Sequence, residues 1–313
     1  MKISRTLIFL IKLAIVLAIV FFIVRAVIAD WEKVQSYEWQ INPLLLALSC
    51  AGFFAAYAVL VLIWKRVLKA FGYTVSYQEA WAIYFIGNLG RYIPGKVWTV
   101  VGVAYMAGKS GIPAVVAGTA AICAQAYSVL SSFVFFVIFF ILRNSAFTGI
   151  RFIWTLFFPV ILILIFLVPR NLERMLNLIL VRLGRERVSL KLTTAAAMKI
   201  TCMYLCSWLV YGCAFWLFVS SMTGIGSFNP FFLAGAFAVS YVLGYIAFFA
   251  PGGIGVREGI LSMLLTGMVS AGVAIVISFS ARLMTTCVEL ICVGAVLIQK
   301  GFAYGKEKKK ART

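Results

Sequence analysis

Long uninterrupted apolar runs constrain this chain more than any other feature. Runs of about 20 residues recur along its whole length without the alternation of a barrel strand, and a run of that length spans the hydrocarbon core only as an α-helix. Hydrophobic residues make up 64% of the chain and charged ones 12%, with a mean hydropathy of +1.06. The chain is therefore an integral membrane protein, and its longest polar stretch, 170–199, is too short to bury a core of its own.

Two interruptions stand out against this background. Residues 248–258 read Phe-Phe-Ala-Pro-Gly-Gly-Ile-Gly-Val-Arg-Glu, and residues 91–96 read Arg-Tyr-Ile-Pro-Gly-Lys. Proline removes a backbone donor and clashes with the preceding turn, while glycine opens positive φ, so a helix stops and another begins at each. Within a bilayer such backbone persists only where protein or a watery cavity surrounds it. The expectation is a re-entrant helical hairpin at each site, with Pro94, Gly95, Pro251, Gly252, Gly253 and Gly255 shaping the breaks.

Charge orients the scheme. The net charge is +19. Lysines and arginines collect at the amino end and in 65–76, 170–199 and 300–313, whereas 30–42 is net acidic. Cytoplasmic loops carry such an excess, so both termini are expected on the cytoplasmic side of a bacterial inner membrane. No polar domain exists to carry a groove-reading element, which excludes nucleic acid as a partner.

Six spanning helices follow, near 7–29, 43–64, 113–142, 150–168, 200–222 and 272–298, with hairpins at 76–109 and 229–267. Leu172, Leu176, Ile179 and Leu183 share one face of 170–199, which predicts an amphipathic helix on the inner surface. Pro43 to Pro94 and Ile200 to Pro251 are both 51 residues apart, and each half reads span, hairpin, span. This predicts one all-α transmembrane domain, an inverted-topology repeat of 43–142 and 200–299, followed by a basic cytoplasmic tail at 300–313.

Each break puts the amino end of a departing half-helix, with its free N–H groups, at membrane depth, and Arg91, Lys96 and Arg257 add full positive charge. A cation there costs at least ~2.5–3.5 kcal/mol unless paired. Glu258 is expected to neutralise and orient Arg257, and Arg282 with Glu289, seven residues on, to form a gating pair. The remaining charge points to a lipid phosphate. Glu79 reads as a surface carboxylate.

Enzymatic signals are weak. There is no histidine and one aspartate, so metal-dependent and histidine-based catalysis lack their usual parts, and no metal or cofactor is expected. Gly108-Lys109-Ser110 lacks the upstream glycine of a phosphate-binding loop, the position being Val103. Asp30 and Glu32 are the one hint of a lipid-linked sugar transferase. The seven cysteines all lie in apolar segments and read as buried small hydrophobes.

The stretches 90–98 and 251–258 together resemble the signatures of the lysylphosphatidylglycerol synthase transmembrane region family, also called flippase-like or UPF0104 proteins, and the likeness extends over 7–298. Members include the flippase half of the multiple peptide resistance factor, which moves aminoacylated phosphatidylglycerol between leaflets, and proteins near polyprenyl-linked glycan pathways. The resemblance implies lipid translocation. With no soluble aminoacyl-transferase domain in this sequence, it does not imply lipid aminoacylation. The expectation is thus a lipid flippase for an anionic phospholipid or polyprenyl-phosphate-linked lipid. Its alternatives are the transferase and a non-transporting partner of an envelope-lipid enzyme.

Overall fold

A computed structural model describes residues 25, 28–93, 97–143, 161, 168–182, 184–224, 228–247 and 250–310. The expected spans at 7–29 and 150–168 fall almost wholly outside these residues. The elements, in order, are α1 (Trp31–Gln35), α2 (Pro43–Ala70), α3 (Tyr77–Asn88), α4 (Val97–Gly108), α5 (Ala114–Arg143), α6 (Pro169–Arg182), α7 (Thr194–Thr223), α8 (Pro230–Ile246), α9 (Val256–Leu265) and α10 (Ala271–Lys310). Short 3-10 turns occupy Leu89–Tyr92 and Pro251–Gly253. Among the described residues four helices are long and apolar enough to cross a membrane, over Pro43–Ala70, Ala114–Phe139, Thr194–Thr223 and Ala271–Gln299.

Local chemistry sets the starts. Asn42 and Asn229 cap α2 and α8 through their side-chain oxygens, each with a proline as first helical residue, the arrangement that satisfies free N–H groups where proline has none to lose. Ser76 and Glu79 close a reciprocal capping box on α3, which accounts for Glu79 as a cap.

Lipid tails supply no hydrophobic drive between helices, so close approach through small residues must hold the bundle. α2 lies antiparallel to α7, with Gly52 against Ala214 and the Ser49 hydroxyl donating to the Ala214 carbonyl at 2.8 Å. Gly212 of α7 meets Ala234 of α8, and Gly235 of α8 meets Phe139 of α5. Phe53, Tyr57, Phe85, Phe215 and Phe237 belong to the buried core that these helices share with α3.

Both interruptions fold the chain back on itself. α4 returns along α3 so tightly that a Cβ on Gly102 or Gly90 would strike the carbonyl of Gly87 or Trp98. α9 returns along α8, where Gly244 faces the Arg257 backbone. The helix–hairpin–helix order therefore occurs twice, as α2, α3/α4, α5 and as α7, α8/α9, α10.

α6 ends at Arg182, and a loop closed by Asn177, which bonds Val188 through both its amide oxygen and nitrogen, leads into α7. Leu172 and Leu176 are buried, but Ile179 is 46% exposed, and Leu183 lies outside the described residues. The cysteine expectation is corrected: Cys202, Cys206, Cys213 and Cys287 are exposed, and Cys123 and Cys292 are buried. An outward helix face meets lipid, where a thiol sits as comfortably as in a core.

Candidate functional site

The two hairpin tips meet each other and the middle of α10. At the second tip, Gly252, Gly253 and Gly255 take φ of 58°, 71° and 82°, a region a side chain rarely tolerates. This lets the chain turn within Pro251–Gly255 and start α9. The Glu258 carboxylate reaches back one turn to accept from the Gly255 N–H at 2.6 Å, the reciprocal half of a capping box. At the first tip, Leu89–Tyr92 tightens into a 3-10 turn carrying Arg91 and Tyr92. Pro94, Gly95 and Lys96 lie outside the described residues.

α10 grips both tips. Glu289, 2% exposed, accepts from Arg91 Nη2 at 2.6 Å and from the Tyr92 hydroxyl at 2.8 Å. Arg282 donates through Nη2 to the Gly252 carbonyl at 3.0 Å, and its Nε lies 3.5 Å from Glu258 Oε1. The expected partners are thus exchanged: Arg282 pairs with Glu258 and Glu289 with Arg91. Seven residues along a helix are about 10.5 Å of rise, too far for Arg282 and Glu289 to bond directly although they share a face. Glu258 follows Arg257 by one residue, about 100° around the helix, so the two side chains diverge.

Arg257 lies over aromatic rings. Its guanidinium carbon sits 4.5 Å from the Phe237 ring centre and 5.4 Å from that of Tyr241, within cation–π range. It makes no hydrogen bond and no ion pair among the described residues. Three arginines and two glutamates therefore gather here, and of these three arginines Arg257 is the one with no carboxylate within ion-pair distance among the described residues.

These groups border a cavity of about 580 Å³. Asn88, Arg91, Arg257 and Arg282 line it together with Val100, Val103, Ile122, Val129, Leu130 and Phe133. The volume is in the range of small-molecule sites. A lining that combines cationic and apolar side chains suits an amphiphile with an anionic head. Sequence reasoning missed the tyrosines of that lining, because in a chain with 13 tyrosines and 27 phenylalanines an aromatic in an apolar run carries no mark of its own.

Asp30 is engaged elsewhere. Its carboxylate accepts from the Gly272 N–H at the start of α10 at 3.0 Å and from Lys33 Nζ at 3.1 Å, so it latches the α1 segment onto the last helix. The Gly272 N–H and the Lys33 ammonium hold its pKa below the ordinary 3.8. Glu32 lies beside it on exposed α1, where its carbonyl accepts from Ser36. Among the described residues no group of three or more acidic or cysteine side chains is placed to hold a metal.

The family profile for the lysylphosphatidylglycerol synthase TM region matches residues 9–292. The chain belongs to that family. Both tips, the cavity and the α10 residues that grip the tips lie inside the matched lysylphosphatidylglycerol synthase TM region, and membership gives the protein a membrane-lipid-related role. Comparison with curated proteins and with solved structures gives no match.

Proposed function

We propose that the protein is a lipid translocase that binds the phosphate of an anionic lipid between its two hairpins and carries it from one leaflet to the other. The observation that carries this reading is Arg257, a cation lining a cavity among the apolar helices with no ion-pair partner among the described residues. Leaving it so is costly without a counter-charge, and a phosphate oxygen supplies one. Both hairpins are read as re-entrant, entering from opposite faces as halves of an inverted repeat, with both termini cytoplasmic in an inner membrane. The apolar side chains of the cavity lining take a hydrocarbon tail. Lys96 belongs to the same phosphate site in this reading, and the cargo is an anionic phospholipid or a polyprenyl-phosphate-linked lipid.

The test is leaflet exchange of a fluorescent anionic phospholipid in liposomes containing the purified protein. Exchange faster than in empty liposomes, and lost in Arg257→Gln while folded protein remains, is the expected result. Exchange at the empty-liposome rate, or unchanged by Arg257→Gln, overturns the proposal.

A further inference from the structure

Next to the large cavity, and sharing Tyr84, Tyr204, Tyr241 and Arg257 with it, is a smaller chamber of about 50 Å³. A water molecule needs roughly 10–15 Å³ of such space. The chamber therefore has room for roughly three to five waters, about as many as a phosphate group has oxygens. Its lining includes the hydroxyl-bearing side chains of Tyr84, Tyr204, Tyr211, Tyr241 and Ser207.

None of these five hydroxyls makes a hydrogen bond among the described residues, although Tyr204 is only 5% exposed and Ser207 only 2%. None of the five is among the buried side-chain atoms sealed away without a partner, so each hydroxyl oxygen is open to the space beside it, and what fills the chamber is what pairs with it. Glu289 and Arg91 also border the chamber, but the two Glu289 oxygens are already taken by Arg91 and Tyr92.

The sign of that partner follows from Arg257. An aromatic enclosure could in general receive an ammonium group. Here the guanidinium already lies over Phe237 and Tyr241, so a second cation would meet a like charge. An acceptor-rich anion would instead meet five hydroxyl donors and one free guanidinium.

We propose that Tyr84, Tyr204, Tyr211, Tyr241, Ser207 and Arg257 form a headgroup chamber for a terminal phosphate, which makes the site selective for a lipid phosphomonoester over a diester with a bulky alcohol. This rests on the reading of the larger cavity as a lipid site. In a monoester three phosphate oxygens are free to meet donors, and the ester oxygen leads out to the tail in the larger cavity. In a diester the second alcohol has to fit among the tyrosines, and a space of this size has no room for a sugar or cyclitol ring.

The experiment measures binding to the purified full-length chain by tryptophan fluorescence, with unliganded melting temperature recorded on the same preparations. The probes are dioleoyl phosphatidic acid, dioleoyl phosphatidylglycerol, dioleoyl phosphatidylinositol and inorganic phosphate. Affinity is expected to fall in that order for the three lipids, by at least about tenfold from first to last. Tyr204→Phe and Tyr211→Phe should each weaken phosphatidic acid binding on the order of tenfold, the scale of a hydrogen bond to a charged group. Neither change should lower the unliganded melting temperature, since the lost hydroxyl had no protein partner. Equal affinity for the three lipids, or undiminished phosphatidic acid binding in both phenylalanine variants, overturns the chamber. Loss of binding in Arg257→Gln alongside normal binding in the phenylalanine variants removes the chamber and leaves the translocase reading standing. Full binding in Arg257→Gln removes both. Inorganic phosphate binding as tightly as phosphatidic acid overturns the lipid selectivity and assigns the chamber to a water-soluble monoester.

Discussion

Replacing Glu289 with glutamine tests whether the last helix fastens the first hairpin tip. The carboxylate is 3% exposed and holds Arg91 at 2.6 Å and the Tyr92 hydroxyl at 2.8 Å. Glutamine keeps the shape and one acceptor but removes the charge, which strands Arg91. Breaking a fully enclosed pair costs about 3–5 kcal/mol. The Arg91 side chain retains 27% of its exposure, so the stranded cation stays partly hydrated and the cost falls to about 2–3 kcal/mol. At about 2–4 °C per kcal/mol, the melting temperature in detergent should drop by roughly 4–12 °C. Arg91→Gln should cost more, since it strands the deeper partner. The double variant should be less destabilised than the two singles summed, by at least about 1 kcal/mol. Phosphatidic acid affinity moves the other way in Glu289→Gln, because the lipid phosphate no longer competes with a carboxylate for Arg91. Additivity of the singles to within about 0.5 kcal/mol refutes the fastening, whatever the size of the individual losses.

Three further outcomes are expected. Asp30→Asn should weaken the latch onto α10 without abolishing lipid exchange; total loss of exchange with folded protein would return Asp30 to a chemical role. Because its folded pKa lies below 3.8, the stabilisation from the carboxylate is present above that value and is lost as pH falls through the folded one. The melting-temperature gap between wild type and Asp30→Asn should therefore close in a scan from about pH 6 to about pH 3. Gly102→Ala should pry the first hairpin open and lower both yield and melting temperature, whereas Gly259→Ala, whose Cβ would meet nothing within 4 Å, should be neutral or stabilising by up to about 1 kcal/mol; equal effects would show that arm contact does not matter. Cysteines placed at Ser36 and Arg187 should be labelled from outside intact cells at the first position only, and the reverse pattern inverts the topology.

The two helix breaks were legible in the sequence because proline with clustered glycine cannot continue a helix, and in lipid a broken helix needs a structural reason. The membership of Arg91, Arg257, Glu258, Arg282 and Glu289 in one region was legible for a related reason: charge inside apolar sequence is too costly to be scattered. Their pairing was not. Two residues seven apart on α10 face the same way, and which of two arginines each carboxylate meets depends on how the tips dock against that helix, which no local pattern records. The tyrosine chamber was invisible for another reason. Tyr84, Tyr204, Tyr211 and Tyr241 come from three different helices, α3, α7 and α8, and only packing brings them to line one chamber.

One consequence of the α10 grips concerns how the protein can move. Arg282 and Glu289 sit two turns apart on a single continuous helix, and each holds a different tip. The tips are therefore not independent moving parts. A slide of α10 by one turn, about 5.4 Å, would carry both grips out of register at once, and motion of one tip against a fixed α10 must first break a buried ion pair. If the translocase reading proposed above holds, an arriving phosphate that draws Arg91 away from Glu289 would supply that break at the first tip alone, while the Arg282 grip still held the second. Cargo and rod would then compete for the same arginine, and an occupied cavity would be the condition under which one half of the protein gains a freedom that the empty protein withholds from both.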